Sequence, residues 1–270
     1  MNSILSLFGT YIPEVSQLMT ENLGYVTRNG EIIKLRVNYA NITELPADFL
    51  NLPKLEVLDL RLNGLTSLPE NIGNLKYLTK LDLTDNKLTT LPENFTELRS
   101  LRNLEISHNQ LKVINEDFGK LKELKNLDLC CNQISVLPKS FCSLERLKYL
   151  NLGENTLQNL PNEFGNLENL EILRIYCNKI KKLPESFSHL LNLKSLSLHE
   201  NELVKLPLEF GNLIKLEELL LQKNQLKELP ISFKNLKALK YCLLNENPKL
   251  RKKARGYPNK IFVQELFANL

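Results

Sequence analysis

Apolar and polar positions alternate over short stretches of this chain, break, and start again. In NLDLCCNQISVLP, Asn126 to Pro138, Leu127 and Leu129 alternate with Asn126, Asp128 and Cys130. That is the period-two pattern of a strand with one buried face. Asn132 closes the alternation, and Leu137-Pro138 then interrupts regular backbone pairing. The order returns every 23 residues. Asparagine stands at 63, 86, 109, 132, 155, 178, 201, 224 and 247, and leucine keeps the same step from 55 to 239. Leu-Pro pairs fall at 68–69, 91–92, 137–138, 160–161, 183–184, 206–207 and 229–230, each followed by phenylalanine except at Ile72. The shared unit reads LxxLxLxxNxLxxLPxxFxxLxx.

Each place in the unit has a physical reading. Leucines at places four and six point inward, so places three, five and seven point to the other face. The asparagine at place nine ends the strand, where buried amides and carbonyls lose their ladder partners. A carboxamide offers both a donor and an acceptor, so stacked asparagines can bridge adjacent units. Phenylalanine and the leucine after it return to the core from a loose helical turn. One unit cannot bury its own apolar face, but stacked units can. This predicts one parallel sheet lining the inner side of a curved solenoid. At about 4.8 Å per strand, ten strands give an inner surface on the order of 45 Å long.

With nine such units the chain resembles the leucine-rich repeat superfamily in its typical 23-residue form, from about Ile32 to Lys249. The resemblance implies an α/β solenoid: a horseshoe with a concave parallel sheet and an irregular, short-helical convex side. Residues 1–31 are expected to form an N-terminal cap. Residues 32–249 give nine full units and a partial tenth strand, and 250–270 a C-terminal cap. Within the first cap, Val15, Leu18, Met19 and Leu23 share one helical face, with Gly24 as the stop. Asn29-Gly30 then predicts a hairpin. Pro258 to Leu270 reads as a final helix. Departures from the unit are Ala40 for asparagine, Ile114-Asn115 for Leu-Pro, Cys242 for a core leucine, and Lys249 and Lys252 at core places.

Reading every 23rd residue gives columns that cross the strands. Place five carries Asp59, Asp82, Glu105 and Asp128 on consecutive strands, then Arg174, Leu220 and Leu243. Stacked like charges oppose folding, so a role outside folding is expected to maintain the four acids. Places three and seven add Tyr149, Tyr176, His199 and Tyr241 in the second half. Aromatic and aliphatic groups on an exposed sheet face suit a protein interface. The expected site therefore has two zones: an acidic one that meets a basic segment of a partner protein, and an apolar-aromatic one.

Composition narrows the rest. A net charge of +4 is too small to argue for nucleic acid. No apolar run reaches the roughly 18 residues of a membrane span, and the N-terminus lacks a basic region and a cleavage site. Five cysteines, an odd number with no cluster flanking either end, fit a reducing compartment. A cytoplasmic, monomeric protein is expected, or alternatively one secreted into a host cell as a bacterial effector. Asp128 beside Cys130 and Cys131 invites a catalytic or metal reading, with His108, Glu154 and Cys177 on neighbouring strands. A flat ladder does not converge on one point as such sites must. No catalytic residue, cofactor or metal is expected there. The basic run KLRKKARGYPNK, Lys249 to Lys260, contains no acid and reads as a solvated end surface. The resemblance extends to small intracellular Ras-binding and Ras-suppressor scaffolds, to the repeat arrays of Roco GTPases and to bacterial repeat proteins. It implies a non-enzymatic scaffold or adaptor. The alternative is the substrate-binding or autoinhibitory part of a larger GTPase, kinase or ubiquitin ligase.

Overall fold

The computed structural model of the protein describes Glu14, residues 22–45 and residues 51–250. Among the described residues one sheet of eleven strands runs in chain order. It opens with an antiparallel hairpin of β1 (Leu23–Arg28) and β2 (Glu31–Val37). The turn between them puts Asn29 and Gly30 at φ 54° and 77°, which these two residues adopt readily. Nine three-residue strands follow, all parallel: β3 (Val57–Asp59), β4 (Lys80–Asp82), β5 (Asn103–Glu105), β6 (Asn126–Asp128), β7 (Tyr149–Asn151), β8 (Ile172–Arg174), β9 (Ser195–Ser197), β10 (Glu218–Leu220) and β11 (Tyr241–Leu243). Each residue pairs with the one 23 places on, as Leu127 does with Leu150. Residues distant in sequence thus become lateral neighbours, one rung per repeat.

The hairpin falls where Asn29-Gly30 predicts it. The helix expected before it does not reach its predicted end, because Leu23 and Gly24 already belong to β1. Glu14, also expected in that helix, instead forms an isolated parallel bridge with Tyr25; residues 15–21, the final helix and nearly all of the basic run lie outside the described residues. At the last unit Leu250, 2% exposed, enters the core while Lys249 stays exposed. The chain thereby avoids burying an unpaired ammonium. Among the described residues no helix is long and apolar enough to cross a membrane.

The core is one continuous cluster along the array. Inward leucines of each strand meet a spine of phenylalanines whose rings stack at 5.8 to 6.4 Å, among them Phe118 on Phe141 and Phe187 on Phe210. The asparagines bridge units as their chemistry requires. Asn132 Oδ1 accepts from Leu111 N–H at 2.9 Å, while its Nδ2 donates to Ile106 O of the preceding unit at 3.0 Å and to Leu129 O of its own at 3.1 Å. Just before every such asparagine the chain takes a left-handed turn, with φ between 51° and 58° from Leu62 to Glu246. None of these residues is glycine, so the surrounding bonds impose the conformation.

On the convex side, Pro-led turns become short 3-10 helices such as Glu70–Asn74 and Lys139–Ser143. They come in two alternating forms. Gly73, Gly119, Gly165 and Gly211 follow the core residue in every second turn. The N–H of Gly165 donates to Ser186 Oγ of the next turn at 3.2 Å, and Ser186 Oγ donates to Asn162 O at 2.5 Å. The pairs Gly119–Ser140 and Gly211–Ser232 repeat the contact. A Cβ on Gly165 would stand 1.9 Å from Ser186 O, so only glycine permits this approach. The outer wall is built from pairs of turns, a grain twice as coarse as the sheet.

Candidate functional site

The concave face is laid out by strand register. Asp59, Asp82, Glu105 and Asp128 stand side by side on β3 to β6, as the 23-residue step predicts. Their exposure is a correction to the sequence reading. Asp59 is 2% exposed and Asp82 fully buried, while Glu105 and Asp128 are half-buried. Both buried aspartates lie against the Arg61 guanidinium. Asp59 is clamped by Arg36 Nε at 2.9 Å and by Arg61 Nη2 at 2.7 Å. Burial alone raises its carboxyl, but Arg61 and Arg36 more than offset this and hold it below the ordinary 3.8. Asp82 is raised, first by burial and then by Glu105 and Asp59. Its Oδ2 lacks a hydrogen bond, with Arg61 Nε 3.5 Å away. Glu105 pairs with Lys80 Nζ at 3.0 Å.

The aspartates also have a folding role that the column reading missed. In the parallel ladder the place-seven N–H has no strand partner, and the place-five side chain takes it. Asp82 Oδ1 accepts from Thr84 N–H at 3.1 Å, Asp128 Oδ1 from Cys130 N–H at 2.9 Å, and Asn151 Oδ1 from Gly153 N–H at 3.1 Å. Backbone satisfaction is therefore a reason for aspartate or asparagine at this place.

The second half carries the aromatic groups on two columns and joins some of them. Tyr149, Ile172 and Tyr241 share one column, and Arg174, Leu220 and Leu243 another. Arg174 lies over the Tyr149 ring, 5.7 Å from its centroid. Tyr176 stacks on His199 at 4.9 Å and reaches back two rungs, to 3.3 Å from Cys130 Sγ. It can do so because Gly153 lies between, where a Cβ would stand 2.5 Å from Tyr176 Cζ. Gly153 was missed, and Cys130, weighed only for catalysis or metal binding, was missed as the partner of Tyr176. The visible signal was a glycine at place seven, where every other unit carries a side chain.

Cys131, Cys142 and Cys177 are poor nucleophiles. Burial, then Glu200, pushes Cys177 up to about 11. Burial and Cys130 raise Cys131, and burial raises Cys142 to about 11. A thiol protonated at neutral pH does not attack. His199 is lowered by burial and so stays neutral. The structure does not gather His108, Cys131, Glu154 and Cys177 at one point. It forms two other groups whose ligand atoms lie within 4.8 Å: Cys130 with Cys131 and Glu154, and Cys177 with His199 and Glu200. Large exposed apolar side chains sit elsewhere, Val136, Leu208 and Ile231 among them. They occupy variable places of the unit, so the repeat pattern gave no sign of them.

A curved parallel sheet, an asparagine ladder and stacked convex turns define a leucine-rich repeat solenoid. The family model described as "Leucine-rich repeat region" matches residues 14–140 and 130–202, and that described as "Leucine Rich Repeat" matches residues 192–213. The chain belongs to the leucine-rich repeat family. Among solved structures it is similar to the leucine-rich repeat ectodomain of the plant membrane receptor kinase GASSHO1/SCHENGEN3 from Arabidopsis thaliana, in complex with CASPARIAN STRIP INTEGRITY FACTOR 2. The identity is 29% and the TM-score 0.74, over 80% of this chain and 27% of that one. The chain thus spans about a quarter of that receptor ectodomain. It is also similar to a leucine-rich repeat protein of Leptospira interrogans, at 30% identity and a TM-score of 0.42, over 87% of this chain and 75% of that one. No curated protein matches it.

Proposed function

We propose that the chain is a non-enzymatic scaffold or adaptor that holds a partner protein along its concave face. The observation that carries this reading is the one-rung register, which lines up Tyr149, Arg174, Tyr176, His199, Leu220, Tyr241 and Leu243, all at least partly exposed. Rigid aromatic rings held by packing lose little freedom on binding. Of the four acids, Glu105 and Asp128 reach solvent, and Asp128 has no cation beside it among the ion pairs of the described residues. A basic segment of the partner meets Asp128. Asp59 and Asp82 act from beneath, by positioning Arg61. The receptor structure, an array similar to this one in complex with a factor, supports a protein or peptide partner.

The test is affinity capture from the native cells with three forms of the full chain. The concave variant carries Tyr176→Ala and Leu243→Asp; the convex variant carries Leu208→Asp and Ile231→Asp. The expected partner is retained by the wild type and by the convex variant and lost from the concave one. Asp128→Lys weakens its binding about tenfold or more. Loss from the convex variant alone would move the interface to the outer wall and end this proposal.

A further inference from the structure

Place eight of the concave rungs reads Cys131, Glu154, Cys177 and Glu200 on four successive units, so thiol and carboxylate alternate at the strand spacing. At the C-terminal end of this row, Cys177, His199 and Glu200 each bring one ligand atom within 4.8 Å of the others. We propose that these three side chains form a Zn2+ site, with a fourth position open to the groove.

Thiolate, imidazole and carboxylate are the donors that zinc takes, and three protein ligands with one open position is a common arrangement. Cys177 Sγ lies 3.5 Å from Glu200 Oε2. A sulfur and an oxygen on one tetrahedral zinc stand about 3.6 Å apart at ordinary bond lengths. Two of the ligands are also held by outer partners. Ser197 Oγ lies 2.8 Å from His199 Nδ1, and Tyr176 stacks on the ring. Lys223 Nζ donates to Glu200 Oε1 at 2.9 Å, which leaves Oε2 facing the thiol. Such partners fix ligand orientation before a metal arrives. Cys177 is a free thiol. The competing set is Cys130, Cys131 and Glu154. Its sulfurs lie 3.2 Å apart, closer than the roughly 3.8 Å of two thiolates on one tetrahedral zinc.

The test titrates the whole chain, reduced and metal-free, with Co2+ and then with Zn2+. A saturable uptake of a single metal is expected, with a thiolate-to-cobalt charge-transfer band that Zn2+ displaces. Cys177→Ser abolishes the band, Ser197→Ala weakens binding about tenfold, and a Cys130→Ser, Cys131→Ser double variant leaves both unchanged. In the unmodified chain, Zn2+ slows alkylation of Cys177, read on its peptide; this readout depends on no variant's folding. Absence of saturable uptake, a band that survives Cys177→Ser, or alkylation of Cys177 undiminished by Zn2+ overturns the site. No partner protein enters these measurements, so they fail or succeed independently of the concave-face reading.

Discussion

Asp82, Asp128 and Asn151 each turn a side-chain oxygen back onto the N–H two residues ahead. At Asp82 the charge is a burden to that arrangement, since asparagine offers the same acceptor. Asp82→Asn is therefore expected to stabilise the fold at neutral pH. The sign follows from the raised folded value: the wild type loses stability as pH rises through it, and below the ordinary 3.8 the carboxyl is neutral in both states. The advantage of asparagine should vanish in acid and grow toward neutrality in urea unfolding across pH. Growth on acidification would contradict it. Asp59 has the reverse sign, for its lowered value adds stability above the ordinary 3.8 that is lost as pH falls through the folded value. A second residue-scale expectation concerns the left-handed turn. Asp85 is exposed at φ 55°, so Asp85→Val should cost about 1–2 kcal/mol through backbone strain, whereas Asp85→Asn should be near neutral. Urea midpoints compare the two.

At the scale of elements, much of the fold was legible. Period-two leucines gave the strands, and the 23-residue step gave their register, because both are set by burial alone. Asparagine at place nine was legible because few side chains satisfy a donor and an acceptor at once. The depth of Asp59 and Asp82 was not legible, since a column shows neighbours without showing which side chain folds over which. Nor was the contact of Tyr176 with Cys130, which skips a rung. That contact can be tested directly. Gly153→Ala should push the Tyr176 ring aside, cost about 1–3 kcal/mol, and speed alkylation of Cys130. An unchanged alkylation rate would mean that the ring does not shield the thiol.

The whole molecule combines two periods. The sheet repeats every rung, but the convex wall repeats every second one: Asn71-Ile72-Gly73 faces the Asn94-Phe95 turn, and from Asp117 on Asp/Glu-Phe-Gly turns face Ser-Phe turns. The sequence carries this alternation at places the 23-residue unit treats as variable. Deleting Gly119 through Phe164 joins Phe118 to Gly165 and keeps the alternation. Deleting Lys120 through Cys142 joins Gly119 to Ser143 and sets two glycine turns together, with Glu163 where Ser140 had met Gly119. Repeat arrays lose stability as they shorten, yet the smaller deletion is expected to melt at the lower temperature, because the Gly119 N–H loses its serine acceptor at a cost of about 1–3 kcal/mol. Thermal unfolding of both, followed by circular dichroism, decides; a smaller deletion that melts higher would refute the pairing. Two rungs, not one, are then the heritable module of this wall. A coding segment that lengthens by tandem copying preserves it only when the number of units gained is even.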